Sequence, residues 1–325
     1  MMKHDVSLKS RNTLGLAVRA AHFMAVSSEN DVEEVIRFAR EHDQEILVLG
    51  EGSNIVFAGD FDGLVVHPGF RCFDVDASKL TIGAGENWHS VVQRSLEAGL
   101  FGLENLSLIP GLAGAAPIQN IGAYGQDLDQ VFDHLVAIDL QSGEIRRFDK
   151  SECQFGYRDS VFKNALKNRY LIKTITLNLD RTFRPRLDFV DLAHLFAGKS
   201  PTAIEVSRAV IEIRKRKIPN PDDVGNVGSF FKNPVISAET FAAFSEKPTF
   251  HQQQDGLKIP AAWLIEKVGM KGKVYGGAAI SEQHALVLTN NDNATPQDVL
   301  NLKAEVEQAV RARFGIQLEM EPELV

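Results

Sequence analysis

Cysteine is scarce in this sequence, and the spacing of its cysteines excludes two kinds of site. The 325 residues contain two cysteines, Cys72 and Cys153, which form no CxxC motif and no Cys/His cluster. Structural zinc sites and dithiol redox motifs need thiols at short, regular spacing. We therefore expect no metal site. The two cysteines could pair with each other, but we favour two free, buried thiols in a reducing compartment.

A long hydrophobic run is also missing. A membrane-spanning helix needs about 18 or more consecutive apolar residues, and no such run occurs. The first residues, MMKHDVSLKSRNTLG, have no apolar core of signal-peptide length. We therefore expect a cytoplasmic protein that has no membrane partner.

Positive charge is in deficit. The chain has 35 Lys and Arg residues against 43 Asp and Glu residues, which gives a formal net charge of −8. A general nucleic-acid binder needs a basic face, so we expect no nucleic-acid partner. An anionic small ligand stays possible, because a local group of Lys and Arg can outweigh the net charge.

The two commonest phosphate-binding motifs are absent as well. No GxxxxGK followed by Ser or Thr occurs. The helical spacing in 31–42 and the stretch EILVLGEGSNIVF at 45–57 resemble half of a nucleotide-binding unit. However, GEGSN is not GxGxxG, and no helical pattern follows it directly.

The elements that the patterns do predict form an α+β fold. With 44% hydrophobic residues the chain has enough apolar material for real cores, and its length suggests two or three domains. Helices are predicted at 31–42, 87–100, 205–225 (stopping at Pro219), 261–269 and 295–315, a hairpin at 135–149, and strands at 169–179 and 276–290. The front half ends near residue 215, and a smaller domain follows.

The segment 104–128, ENLSLIPGLAGAAPIQNIGAYGQDL, has an unusual composition. It combines four glycines, two prolines and several alanines with few charges, whereas a solvent-exposed loop would be more polar. Backbone of this kind can pack closely against a large flat ligand and present N–H groups to it. The alternative is a tightly packed Gly/Ala connection between strands.

A second unusual stretch is GNVGSFFKNP at 225–234, in which Ser229 stands between a glycine and two phenylalanines. The phenylalanines suggest the start of a strand and the glycines suggest a turn. On this evidence alone, Ser229 is most simply a serine that satisfies a turn hydrogen bond.

Taken together, six stretches resemble the UDP-N-acetylenolpyruvoylglucosamine reductase (MurB) family, and specifically its members with a longer connecting segment. They are, in chain order, LGEGSNIVF, IPGLAGAAPIQNIGAYG, FGYRDSVFK, GNVGSFFKNP, GGAAISEQHALVL and FGIQLEME. The match as a whole extends from about residue 11 to the end. The resemblance implies a flavoenzyme of peptidoglycan precursor synthesis; we separately expect a monomer, although the sequence does not give the oligomeric state. In this family NADPH reduces a non-covalently held FAD, and UDP-N-acetylglucosamine enolpyruvate is then reduced to UDP-N-acetylmuramate.

The resemblance also implies a fold and a division into domains. The expected fold is the two-lobed FAD-binding fold of the vanillyl-alcohol-oxidase (PCMH) type, with a smaller α+β substrate-binding domain. The implied boundaries are 1–70 for the first FAD lobe, 71–215 for the second, and 216–325 for the substrate-binding domain with its catalytic tail.

The same resemblance implies three catalytic residues. Adding hydride to C3 of the enolpyruvate leaves carbanion character at C2, so the site needs a proton donor and a group that stabilises the carboxylate. Ser229 matches the family's proton donor. Arg158 and Glu321 match the pair that polarises the carboxylate, a task that suits the planar fork of arginine. Without the family, a surface arginine and a tail glutamate would be the simpler interpretations.

Two groups of binding residues follow from the resemblance. The cofactor-binding residues, whose amides would contact the diphosphate or whose small side chains would face the isoalloxazine, are Gly50, Gly52, Ser53, Asn54, Pro110, Gly111, Gly114, Ala115, Ala116, Gln119, Asn120, Gly122 and Ala123. The substrate-binding residues are Tyr124, Lys217, Asn233, His251 and His284.

The chain also departs from the family pattern in places. Phe189 stands where the longer members have a tyrosine that folds over the substrate, and His251 replaces a second tyrosine. In the tail, Glu319, Glu321 and Glu323 alternate, and the spacing from Phe314 favours Glu321.

Two other functions compete with the reductase. One is an oxidase of the same FAD fold acting on a small alcohol, which would have no use for Lys217, Ser229 and Asn233 together. The other is a non-catalytic nucleotide-sugar sensor, which would be expected to lack Ser229, Arg158 or Glu321.

Overall fold

The computed structural model describes all 325 residues, which divide into two compact units. Unit 1 comprises Met1–Val6, Ala20–Glu51 and Asp62–Lys215, and unit 2 comprises Ser7–Arg19, Gly52–Phe61 and Arg216–Val325. The division of the front part into lobes at residue 70 stays a prediction.

The helices are α1 (Glu29–Glu41), α2 (Trp88–Glu97), α3 (Val190–Leu195), α4 (Ala203–Lys217), α5 (Ala238–Ala242), α6 (Ala261–Lys267) and α7 (Pro296–Phe314). The strands are β1 (Lys3–Ser7), β2 (Arg19–Val26), β3 (Ile46–Val48), β4 (Ile55–Val56), β5 (Phe61–Pro68), β6 (Phe73–Asp76), β7 (Lys79–Gly83), β8 (Gly122–Ala123), β9 (Gln126–Asp127), β10 (Phe132–Asp139), β11 (Ile145–Asp149), β12 (Tyr170–Asn178), β13 (Gly225–Ser229), β14 (Val235–Ile236), β15 (His251–Gln253), β16 (Gly256–Lys258), β17 (Val274–Tyr275), β18 (Ala278–Ile280), β19 (Val287–Asn290) and β20 (Glu323–Leu324). None of the helices combines the length and the apolar character that crossing a membrane requires.

The first sheet of unit 1 has the strand order β1-β2-β5-β3, and α1 belongs to the same hydrophobic core. Helix α1 begins with a capping box, in which Asp31 N–H donates to the Ser28 hydroxyl and Ser28 N–H donates to the Asp31 carboxylate. The cap is therefore Ser28, and the helix begins two residues before the predicted start at residue 31. The reciprocal pair satisfies two backbone donors that would otherwise lack partners.

The second sheet of unit 1 has the order β11-β10-β12-β7-β6 with antiparallel neighbours throughout. The predicted hairpin is present, with Ala137 opposite Arg146. Helix α2 joins this core through Trp88, whose side chain is fully buried and whose Nε1 donates to the Leu106 carbonyl at 3.1 Å. Both cysteines are free, and Cys72 is only partly buried.

In unit 2, strands β13-β19-β18-β17 form an antiparallel sheet, and β14, β16 and β15 form a smaller one. The prediction of one strand over 276–290 is wrong, because a turn separates β18 from β19. Side chains hold that turn: the Ser281 hydroxyl accepts from Gln283 N–H, and His284 Nδ1 accepts from Leu286 N–H. Helix α7 also begins with a capping box, in which Asp298 N–H donates to the Thr295 hydroxyl at 3.1 Å.

Candidate functional site

The small residues of 110–123 pack against their own unit. A Cβ atom on Gly114 would lie 2.7 Å from Ala84 Cβ, and Gly114 N–H donates to the Ala84 carbonyl at 2.9 Å. Glycine is therefore required at position 114 by close packing on the segment that follows β7. At this residue, the tight Gly/Ala connection that we considered as an alternative is what the structure contains.

Most backbone donors at the start of this segment are already used. Gly111 N–H donates to the Glu51 carboxylate at 3.0 Å, and Ala113 N–H donates to the Glu86 carbonyl at 2.7 Å. The N–H groups of 114–116 likewise donate to carbonyls of unit 1. These amides already have acceptors within unit 1 and are not free donors for a diphosphate, so their contact with the cofactor stays a prediction.

Unbonded donors occur instead in the turn after β3. The N–H groups of Gly50 and Glu51 make no hydrogen bond within the protein, and both residues are only partly buried. The Glu51 side chain is held at the same time by Asn87 Nδ2 at 3.2 Å and by Gly111 N–H. Backbone N–H groups without a protein partner suit an anionic ligand, and the small exposed side chain of Ala115 leaves room beside 110–123. The residues of unit 1 thus fit a flavin with a diphosphate.

In unit 2, Gly52 is required by conformation and by space. Its φ is +64°, and a Cβ atom would lie 2.3 Å from the Arg11 carbonyl oxygen. Ser53 and Asn54 follow it directly, and Asn54 O accepts from Glu323 N–H at 3.0 Å. These three predicted cofactor residues therefore lie in a turn that the tail of the chain braces.

Arg158 is held at the hairpin of β8 and β9. Its Nη2 donates to the Gly122 carbonyl at 2.5 Å, and its Nη1 lies 3.4 Å from Asp127 Oδ1. Gly122 makes room for this arrangement, because a Cβ atom there would lie 1.7 Å from Asp127 Oδ1 and 2.8 Å from Arg158 Nη1. The guanidinium is largely buried, with 17% of the side chain exposed.

Tyr124 lies in the turn of the same hairpin. Its φ is +50°, an uncommon conformation for a large residue. Asn105 Nδ2 donates to the Tyr124 carbonyl at 2.7 Å, and the ring of Phe189 packs edge-on against the tyrosine ring with centroids 5.1 Å apart. Phe189, which carries no hydroxyl, thus packs beside Tyr124 in unit 1.

Ser229 is the last residue of β13, and its hydroxyl makes no hydrogen bond within the protein. The turn bond is made by Asn226, whose Oδ1 accepts from Gly228 N–H at 3.0 Å. Gly228 has φ +70°, which favours glycine. The fully buried Phe230 and Phe231 follow the strand rather than start it. A turn hydrogen bond therefore does not explain Ser229.

Glu321 lies next to this strand end, since its N–H donates to the Phe230 carbonyl at 3.0 Å. The neighbouring acidic residues have other surroundings: the Glu319 carboxylate pairs with Lys232, and Glu323 lies in β20 beside β4. These contacts support the assignment of Glu321 that the spacing favoured.

The three predicted substrate residues Asn233, His251 and His284 of unit 2 differ in which of their atoms already form hydrogen bonds within the protein. Asn233 Oδ1 accepts from Ala261 N–H at 3.0 Å, so the amide oxygen is used at the start of α6. His284 accepts through Nδ1, which places its proton on Nε2, and its pKa is lowered by burial and by the positive charge of Lys217. His251 is exposed in β15.

The predicted residues thus form two groups. Arg158 and Tyr124 lie at the hairpin of β8 and β9 in unit 1, whereas Ser229 and Glu321 lie at the end of β13 in unit 2. Sequence reasoning missed Glu51, Asn105, His89 and Arg214, which hold the loops of unit 1. A glutamate between two glycines and an asparagine within ENLSL were the available signals.

Comparison with known proteins adds two family matches. Residues 220–325 match the model of the UDP-N-acetylenolpyruvoylglucosamine reductase C-terminal domain, and residues 20–149 match the FAD binding domain. UDP-N-acetylenolpyruvoylglucosamine reductase of Azoarcus sp. strain BH72 is 45% identical over 99% of this chain and 97% of its own. The protein of that name from Burkholderia multivorans is 44% identical over 98% of this chain and 95% of its own.

Among solved structures, the chain is similar to the MurB crystal structure from Thermus caldophilus. The TM-score is 0.71 at 24% sequence identity, covering 100% of this chain and 99% of the other. At this identity the likeness establishes the fold. With the FAD binding domain match, it confirms the predicted α+β fold with an FAD-binding part.

Proposed function

Because the chain belongs to the UDP-N-acetylenolpyruvoylglucosamine reductase family, we propose that it is the UDP-N-acetylmuramate dehydrogenase of peptidoglycan precursor synthesis. Its substrates are NADPH and UDP-N-acetylglucosamine enolpyruvate, its cofactor is FAD, and its product is UDP-N-acetylmuramate. The oxidase alternative gains no support, because residues 220–325 match the reductase's own C-terminal domain.

The observation that carries the proposal is the Ser229 hydroxyl. It stands at a strand end, without a protein partner, between a left-handed glycine and two buried phenylalanines that fix the backbone. A proton donor must be rigidly placed and must not already be donating its proton elsewhere. Ser229 meets both conditions, and it gives its proton to C2 of the substrate.

Other residues stabilise the substrate carboxylate and bind the diphosphate side of the substrate. FAD, when bound, would carry hydride from NADPH to the substrate. Arg158 and Glu321 stabilise the negative charge that spreads onto the substrate carboxylate, and the Gly122 carbonyl and Asp127 hold the guanidinium in place. Lys217, Asn233 and His284 bind the diphosphate side, His284 as a neutral Nε2–H donor. His251 completes this group.

The proposed cofactor contacts follow the positions of the unbonded N–H groups. The N–H groups of Gly50 and Glu51 bind the diphosphate together with Gly52, Ser53 and Asn54. The accessible predicted residues of 110–123, such as Ala115 and Gln119, would supply a close surface for the isoalloxazine rather than amide donors. We also infer that the protein is a cytoplasmic monomer, since NADPH and UDP-sugars are cytoplasmic metabolites; light scattering on a sizing column tests the monomer.

A half-reaction experiment tests the function. Under anaerobic conditions, NADPH should bleach the flavin absorbance of the purified protein, and the enolpyruvyl sugar should restore it with formation of UDP-N-acetylmuramate. An oxidase would instead be reoxidised by oxygen and not by the sugar. Failure of the sugar to restore the flavin would reject the proposal.

A further inference from the structure

Leu108 has a backbone conformation that needs an explanation. Its φ is +58°, in the left-handed region that residues with a Cβ rarely occupy. Such a conformation costs free energy and persists only where the surroundings enforce it. Leu108 lies two residues before Pro110, where the small-residue segment of the proposed cofactor site begins.

Both backbone polar groups of Leu108 are held by side chains from helices. Leu108 N–H donates to His89 Nδ1 at 3.0 Å, and its carbonyl accepts from Arg214 Nε at 3.1 Å. His89 lies in α2 and Arg214 lies in α4, both within unit 1. The peptide is therefore clamped from two directions by residues distant in sequence.

The state of His89 suits this contact. Only a neutral imidazole can accept through Nδ1, and it then carries its proton on Nε2. Burial lowers the pKa of His89, and the positive charges of Arg214 and Lys215 lower it further. The N-terminal end of α2 also fixes the backbone at Gly111, because Trp88 N–H donates to the Gly111 carbonyl at 3.0 Å.

We infer that His89 and Arg214 are positioning residues for FAD binding. By clamping Leu108 they fix the backbone path on which 110–123 enters the cofactor site. Neither residue needs to touch the flavin. This inference rests on the proposed placement of FAD against 110–123.

Two variants of His89 test the clamp. In His89→Asn the amide oxygen takes the place of Nδ1 and can accept from Leu108 N–H, whereas in His89→Gln it lies near the former Nε2 position. The measurement is the rate at which FAD leaves the purified holoprotein, followed by the rise in free-flavin fluorescence. We expect release to be about tenfold faster in His89→Gln and nearly unchanged in His89→Asn, since a backbone donor loses its partner only in the former.

Leu108→Gly provides a second, independent measurement. Glycine adopts a positive φ without strain. In Leu108→Gly the backbone therefore depends less on the hydrogen bond to His89. The difference between the His89 variants should therefore shrink in the Leu108→Gly background, as a double-mutant cycle detects. Equal rates of FAD release from His89→Asn and His89→Gln would overturn the clamp. A difference between these rates that persists unchanged in the Leu108→Gly background would overturn it as well.

Ala115→Leu separates the clamp from the placement of FAD. Ala115 is exposed, so a larger side chain there should obstruct the flavin without disturbing the core. Unchanged FAD release in Ala115→Leu overturns the placement. Faster release there, together with identical His89 variants, overturns the clamp alone.

Discussion

At the scale of single residues, a substitution of Ser229 tests the proposed proton donor most directly. Its hydroxyl makes no hydrogen bond within the protein, so its removal should not disturb the fold. In Ser229→Ala, NADPH should reduce the flavin at nearly the normal rate. Reoxidation by the enolpyruvyl sugar should slow by roughly 10²–10⁴-fold, the usual scale for a positioned general acid. Stopped-flow absorbance measures both half-reactions, and equal slowing of the two would contradict the assignment.

The alternating glutamates of the tail give a matched set. Glu321 is bonded through its backbone to Phe230, next to Ser229, whereas the Glu319 carboxylate is paired with Lys232 at the surface. Glu321→Gln should lose most of its turnover and keep its flavin. Glu319→Gln should stay near normal, because an exposed ion pair contributes roughly 0–1 kcal/mol.

Glu323→Gln is the control for the register of the tail. Alternate residues of an extended segment face the same side, so the sequence pattern does not distinguish 321 from 323. Steady-state turnover at fixed flavin content decides between them. A dead Glu323→Gln enzyme with an active Glu321→Gln enzyme would place the catalytic carboxylate two residues further on.

At the scale of an element, the hairpin of β8 and β9 positions Arg158. In Gly122→Ala the new methyl group would overlap the Asp127 carboxylate and press on Arg158. We expect a loss of about 1–3 kcal/mol in the free energy of unfolding, typical of overpacking. Turnover should fall more than flavin content, since the displaced group is Arg158, which we propose to contact the substrate.

Gly125→Ala is the matched substitution in the same hairpin. Gly125 has φ +83°, and nothing lies within 4 Å of a Cβ atom built there. Gly125→Ala should therefore lower the free energy of unfolding by roughly 1–2 kcal/mol, the usual cost of a left-handed conformation for a residue with a Cβ atom. It should leave Arg158 in place. Denaturant unfolding and turnover are measured on both variants. If the two variants lose the same turnover, crowding at Arg158 is not the cause.

At the scale of the whole molecule, partly buried histidines link stability to pH. The pKa values of His22, His89 and His284 are all lowered, in each case chiefly by burial. The unfolded chain therefore binds protons near the ordinary value of about 6.5 while the folded protein resists them. Their effect is absent well above that pH, and as pH falls through 6.5 they destabilise the folded protein.

His89→Asn isolates one of these contributions. At pH 5.5, one unit below the ordinary value, a single histidine can destabilise the folded protein by at most about 1.4 kcal/mol. The difference in unfolding free energy between pH 7.5 and 5.5 should be smaller in His89→Asn than in the unmodified protein. Urea unfolding at the two pH values measures this, and an unchanged difference would show that His89 does not resist protonation.

The sequence by itself determined what depends on near neighbours. Helix α7 begins after the cap residue Thr295 and ends before Gly315, because a capping box and a left-handed glycine act within a few residues. Helix α4 ends at Lys217, two residues before Pro219, since a proline limits the helix that precedes it. The assignment of Arg158, Ser229 and Glu321 as catalytic residues came from motifs in register, which also need no coordinates, and it stays a prediction.

Only the tertiary structure decided which groups are already used. The amides of Gly111 and 113–116 looked available in the sequence, yet the protein's own acceptors take them. The strand predicted at 276–290 is divided by the hydrogen bonds of Ser281 and His284. Leu108 is held in a strained conformation by helices that begin about 20 and 95 residues away. Each of these outcomes depends on a hydrogen-bond partner that only the folded chain brings into contact. Such a partner cannot be identified from the spacing of neighbouring residues.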